Sequence, residues 1–173
     1  GDNNSDTISG VTVDFSSFGG GSAVAATNSS GTWTATYTIA AGSIDASNKN
    51  ISVTATDNAG NTATTADATN ATLDNAAPTV TDANISITWG SGSGCDSKID
   101  NAITAAWNNT AGGDNNSDTI SGVTVDFGAF GGGSAVAATN SSGTWTATYT
   151  IASGSIDVPN RNISVTETDN AGN

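Results

Sequence analysis

Residues 1–61 return almost unchanged at 113–173, a period of 112 residues. Seven positions differ: Ser16/Gly128, Ser17/Ala129, Ala41/Ser153, Ala46/Val158, Ser47/Pro159, Lys49/Arg161 and Ala55/Glu167. Near-identity at a domain-sized period predicts tandem copies of one folding unit rather than a solenoid of short repeats. Pro78 follows the polar segment LDNAA and precedes a new alternating stretch, which places a unit boundary at 75–78. Residues 1–74 are then a unit lacking its first strands, and 78–173 a unit lacking its last.

Inside the unit the hydrophobic period is two. Thr79–Trp89, Ile103–Trp107, Ile120–Phe127, Ser134–Thr139, Thr144–Ile151 and Asn162–Thr168, with Thr62–Leu73 from the first copy, each read as a strand. Threonine suits a half-buried pleated surface. NSSG reads as a hairpin loop, and FGGGS as a flexible bend. About seven such strands in about a hundred residues predict an all-β fold, a two-sheet antiparallel sandwich of immunoglobulin type without its disulfide. The expected core is Trp145, Ala147, Tyr149 and Ile151 with Trp107, Val123, Val125, Phe127, Ile163 and Val165. That core is modest and rich in alanine, so help from ions or neighbouring units is expected.

Sixteen acids against three bases (Lys49, Lys98, Arg161) give a net charge of −13. Such a surface excludes nucleic acid and anionic membranes as partners, because both are bound through clustered Lys and Arg. All the acids but Glu167 are aspartates, which fits carboxylates placed in turns. The chain has no His and a single cysteine, Cys95, so it carries no intrachain disulfide and no set of groups for acid–base, nucleophilic or zinc chemistry. Cys95 reads as a solvated spectator thiol. No apolar run reaches the roughly 18 residues of a membrane span. With no initiator Met and no signal peptide, the sequence reads as a piece of a longer chain.

The run from APTVTD through GTWTATYTI to NISVTETDNAGN resembles the bacterial immunoglobulin-like repeats of giant surface adhesins. In that family a strand commonly ends in a TATDxAGN-like turn and the next domain opens on an APTV-like segment. The resemblance implies an extracellular, non-enzymatic spacer of many copies, stiffened by calcium at domain junctions. LDNAAP also resembles the calcium-binding linker of cadherins. The partners so implied are neighbouring repeats of the same chain. The alternatives are a filament subunit whose incomplete unit takes strands from an identical chain, and a ligand-binding module using the Thr face of TWTATYTI.

TDNAGN, at 56–61 and 168–173, is the motif with the most specific chemistry. The parity that buries Ile51 and Val53 also carries Ala55 and Asp57, so the aspartate leaves the strand on the core side. Glu167 lies two residues before Asp169 on that face, a pair that repels unless solvated or bridged. Oxygen ligands from turns are what calcium prefers. The expected ligands are Asp57, Asn58, Asp74 and Asp82, with Asp45 as a further contributor and Asp169, Asn170 and Asp157 as second-copy equivalents. The competing reading is a plain turn whose aspartate caps local amides. GDNNSD presents the same choice at Asp2/Asp6 and Asp114/Asp118. Nine glycosylation sequons begin at Asn3, Asn28, Asn50, Asn70, Asn84, Asn108, Asn115, Asn140 and Asn162.

Overall fold

The structure is a computed structural model that describes residues 2, 4–90, 97–154, 156–157 and 159–173; Asn3 and Cys95 lie outside them. Among the described residues regular structure consists of β-strands and three short 3-10 turns, so the fold is all-β, and every pairing between strands is antiparallel. No helix among them is long and apolar enough to cross a membrane. The chain divides into two units, Gly1–Ala76 and Ala77–Asn173.

The first unit contains β1 (Ile8–Asp14), β2 (Val24–Ala25), β3 (Thr27–Ser29), β4 (Thr32–Thr34), β5 (Asp45–Lys49), β6 (Ser52–Asp57), β7 (Thr62–Ala66) and β8 (Ala71–Asp74). One four-stranded sheet runs β2-β1-β6-β7, while β3-β4 and β5-β8 stand as separate pairs. Val11, Val13 and Leu73 are its buried apolar residues.

The second unit contains β9 (Ile85–Thr88), β10 (Ala102–Asn108), β11 (Ile120–Asp126), β12 (Val136–Ala137), β13 (Thr139–Ser141), β14 (Thr144–Thr150) and β15 (Ser164–Asp169). Its strands form two sheets, β13-β14-β10-β9 and β12-β11-β15. Alternation gives each sheet one apolar face, and these faces meet. Ile103, Ala105 and Ala147 of one sheet pack with Val125 and Phe127 of the other, and Trp107 and Trp145 pack with Val123. This is a sandwich-like arrangement, and burying a side chain of Phe or Ile size in it contributes ~1.5–3 kcal/mol.

Most expected core positions are buried there, with Tyr149, Ile151, Ile163 and Val165 only partly so. Ile103 and Ala105, fully buried, belong to the core as well. The expected strand Thr79–Trp89 is regular only over Ile85–Thr88, because a 3-10 turn at Asp82–Asn84 precedes it. Thr62–Leu73 is two strands, broken around Asp67, whose carboxylate accepts the Thr69 N–H. In NSSG, Ser30 and Gly31 both have positive φ (52° and 87°), the signature of a two-residue hairpin turn whose twist matches its strands.

FGGGS is a packed turn rather than a flexible bend. Phe127 donates its N–H to the Gly133 carbonyl and stacks on Tyr149 with ring centroids 5.9 Å apart. A Cβ on Gly132 would lie 2.7 Å from Phe127 Cβ and 2.9 Å from the Tyr149 ring, so only glycine fits beneath the aromatic pair. Phe15, Tyr37 and Gly20 repeat the motif in the first unit.

Candidate functional site

The TDNAGN turn is built from strand parity and a bulge. A register shift between Ile8 and Gly10 in the β1–β6 pair brings Ser9 beneath the end of β6, where its hydroxyl donates to the Asp57 carbonyl at 2.7 Å. Asp57 Oδ1 accepts the N–H groups of Ala59 and Asn61, each at 2.8 Å, and Oδ2 accepts Asn61 Nδ2 at 2.8 Å. These bonds, led by those from Asn61, hold the carboxyl below the ordinary aspartate range. Asn58 is exposed and its N–H donates to the Thr7 carbonyl at 2.9 Å.

The second copy makes the same turn in a tighter setting. Asp169 is 1% exposed. Its Oδ1 accepts from the N–H groups of Ala171, Gly172 and Asn173 at 2.7–2.9 Å, and its Oδ2 from Asn173 Nδ2 at 3.1 Å. Burial pushes this carboxyl up, the turn's donors outweigh it, and the net direction is down. Glu167 is pushed up by burial and by the negative charge of Asp114, which outweigh a hydrogen bond from its own backbone N–H. Each aspartate thus leaves its strand on the core side and has its carboxylate hydrogen-bonded by its own turn.

Of the remaining expected ligands, Asp45 and Asp74 belong to the first unit and Asp82, Asp157 and Asn170 to the second. Within the first unit Asp45 and Asp74 face each other across the β5–β8 pair, and their carboxylates approach within 4.8 Å. Asp74 Oδ1 also accepts the Ala76 N–H at 3.1 Å. In the second unit Asp82, Asp157 and Asn170 are exposed. Asn75, at the expected boundary, is buried and bonded on every side: Oδ1 accepts the Ile44 N–H at 2.8 Å and Nδ2 donates to the Ala40 carbonyl at 2.6 Å.

Asp114 of GDNNSD has a role that strand periodicity does not reveal. Its carboxylate accepts Trp107 Nε1 at 2.6 Å, the Thr81 N–H at 3.0 Å, Thr81 Oγ1 at 2.6 Å and Asn84 Nδ2 at 2.8 Å. Burial raises the carboxyl, but the donors from Thr81, Trp107 and Asn84 bring it down to about 2. One side chain thereby ties the segment before β9 to the end of β10. Its partners lie up to 33 residues away, so only the common presence of Trp107, Thr81 and an Asp-rich loop hinted at it.

The outward face of the β13-β14-β10-β9 sheet is an array of small hydroxyl residues. Thr88, Thr104 and Thr148 align across three strands, as do Ser86, Ala106, Thr146 and Thr139 across four. Thr104 and Thr148 are hydrogen-bonded at 3.1 Å.

The sequons fall into two groups. Asn50 and Asn84 commit their Nδ2 atoms, the atoms a glycan would take, to protein acceptors. Asn28 and Asn140 sit in exposed hairpins and accept the N–H of Gly31 and Gly143 through Oδ1, and Asn108 and Asn162 likewise accept from Thr110 and Ile163. Asn70 accepts from Asn50, and Asn115 is exposed.

No family model, no curated protein and no solved structure matches this chain.

Proposed function

We propose that the chain is part of a tandem array of immunoglobulin-like repeats, a non-enzymatic spacer in a long extracellular surface protein. The observation that carries this reading is that the repeated 61-residue sequence draws core residues from both of its flanks. In the second unit it packs on Ile103, Ala105 and Trp107 of β10, which precedes it. In the first unit β5 pairs with β8, which follows it and brings the buried Leu73. A folding unit longer than the copy, opening near Pro78, is what the 112-residue period supplies. The family resemblance of the strand and turn motifs adds the extracellular setting.

Calcium enters this proposal at Asp45 and Asp74, two like charges placed directly opposite, an arrangement that repels unless a cation or solvent bridges it. A melting temperature of the first unit that rises with calcium and falls with chelator, and no longer responds in Asp74→Asn, is the expected result. An unresponsive wild type would remove calcium from the reading.

The spacer role is tested by small-angle scattering of arrays of increasing copy number. A maximum dimension that grows in proportion to copy number supports it, and a compact globule refutes it. A second reading, binding through the Thr face, rests on the aligned hydroxyl rows. It requires that Thr146→Lys with Thr148→Lys abolish adhesion of the parent protein while leaving the fold intact.

A further inference from the structure

Asn28 and Asn140 hold the same place in the two copies, each opening an Asn-Ser-Ser-Gly stretch. An Asn-x-Ser sequon needs an accessible amide nitrogen and a hydroxyl two residues on. Here the asparagine is the middle residue of a three-residue strand, β3 or β13, and the hydroxyl belongs to Ser30 or Ser142 at the hairpin turn. Both asparagines and both serines are exposed.

The turn fixes each amide. Gly31 and Gly143 donate their N–H groups to Oδ1 of Asn28 and Asn140, each at 2.9 Å. A donor can face only the oxygen of an amide, so Nδ2 takes the other side, and among the described residues it has no acceptor at either position. Register adds a direction. Asn140 lies opposite Trp145, while Thr139 and Ser141 lie opposite Thr146 and Thr144. Neighbours along a strand face opposite sides of the sheet, so the Asn140 side chain leaves on the side away from the hydroxyl rows.

This exposure holds with either flank of the copy present. The first unit contains the residues that follow the copy, 62–76, and the second contains those that precede it, 77–112. In both settings the asparagine is exposed, and β3 and β13 pair only with β4 and β14. Other sequons are built differently. Asn50 Nδ2 donates to the Asp67 carbonyl and to Asn70 Oδ1, and Asn84 Nδ2 donates to Thr81 Oγ1 at 2.9 Å and Asp114 Oδ1 at 2.8 Å. At Asn115 the middle residue of the sequon, Asn116, is bonded through backbone and side chain to Asn109 and Thr79, so drawing that sequon into an enzyme's groove would unpick the loop.

We propose that Asn28 and Asn140 are acceptor sites for an N-linked glycan, one on each copy of the repeat. The donor is an oligosaccharide carried on a polyprenyl phosphate. Nδ2 bonds to the anomeric carbon of its first sugar as the bond from that carbon to the carrier's phosphate oxygen breaks. The carrier leaves with its phosphate, and one Nδ2 proton passes to a base of the transferring enzyme. A glycan on the middle residue of an outermost strand also covers backbone groups that are otherwise open to pairing with another chain.

The test incubates the folded 173-residue chain with a single-subunit oligosaccharyltransferase and its polyprenyl-phosphate-linked oligosaccharide, and follows the occupancy of each sequon by peptide mass. Synthetic peptides spanning the same sequons, each modified by that enzyme, give the rate without a fold. Asn28 and Asn140 are expected to react at close to their peptide rates. Asn50 and Asn84 should be slower than their peptides by about tenfold or more, because each nitrogen must first give up two hydrogen bonds. Ser30→Ala with Ser142→Ala should abolish modification of both hairpins. Asn28 slowed as much as Asn50, or Asn140 as much as Asn84, overturns the proposal, and so does modification that survives the loss of both serines. The assay is indifferent to where a cell places the chain, so its failure leaves the spacer reading standing.

Discussion

The sequence TWTATYTI occurs at 32–39 and at 144–151, yet it folds differently in the two units. In the second unit it is the seven-residue strand β14, paired with β10 from Ala102↔Thr150 to Asn108↔Thr144. In the first unit only Thr32–Thr34 is strand, held by the β3 hairpin alone. Exposure follows whether a second sheet covers the apolar face. Ile39 is 47% exposed while its counterpart Ile151 is half-buried, and Val53 is 38% exposed while Val165 packs against the core. The reverse holds at the other end of the copy, where β5 has β8 as a partner and the corresponding segment of the second unit is not a strand at Asp157, Pro159 or Asn160. TWTATYTI is identical in the two copies, so there the difference is tertiary: a strand forms where a neighbour completes its ladder and covers its apolar face; at the β5 position Pro159, in place of Ser47, also removes a backbone donor.

The comparison breaks most completely at Trp107. Trp107→Ala removes the centre of the second unit's smaller cluster and the indole donor to Asp114, and is expected to cost ~3–5 kcal/mol, read as a lowered melting transition of that unit by circular dichroism. The first unit's transition should not move.

Next in size is Asp114. Asp114→Ala leaves the buried indole N–H of Trp107 without its acceptor and is expected to cost ~1–3 kcal/mol, whereas Asp2→Ala, at the corresponding position of the first copy, should change nothing measurable. The folded carboxyl is depressed to about 2, below its unfolded value. Its stabilising effect is therefore fully present above about pH 4 and lost as pH falls towards about 2. Acid titration of the second unit's melting temperature should lose part of its slope in this window in the variant.

Two glycines sharpen the contrast. Gly42→Ala drives a Cβ into Asn75 and is expected to destabilise the first unit by ~1–3 kcal/mol. Gly154→Ala, in open space, should be neutral or stabilise the second unit by ~0.4–1 kcal/mol through the unfolded chain. Paired urea titrations separate the two outcomes.

The smallest effect is at Glu167. Its carboxyl is raised by burial, so the folded state resists its ionisation and the wild type gains stability as pH falls through the raised value. Glu167→Ala should stabilise the second unit at neutral pH by about 0.5 kcal/mol or less and remove that gain.

Much of the fold is legible in the sequence because alternation reports which face of a strand is apolar. The β11 and β14 core positions, the NSSG hairpin and the core-side exit of Asp169 all follow from local pattern. Alternation does not report which neighbour covers that face, so the exposure of Ile39 and Val53 is invisible to it. Nor does it report close approach, which is why the packed turn around Gly132 reads as a loose bend. The latch at Asp114 was hidden for a third reason: its donors come from Thr81, Asn84 and Trp107, brought together only by the fold. The TDNAGN motif was readable both as a metal ligand set and as a capped turn; its geometry supplies the cap's hydrogen bonds in each copy.

Residue-resolved amide hydrogen exchange on these 173 residues by themselves compares the two TWTATYTI segments in one molecule. If neighbours decide the strand, the amides of 145–150 that face β10 exchange slowly, and their counterparts at 35–38 exchange near the rate of an open chain. Equal protection of the two segments would contradict this, because the same residues would then hold the same structure with and without β10 beside them.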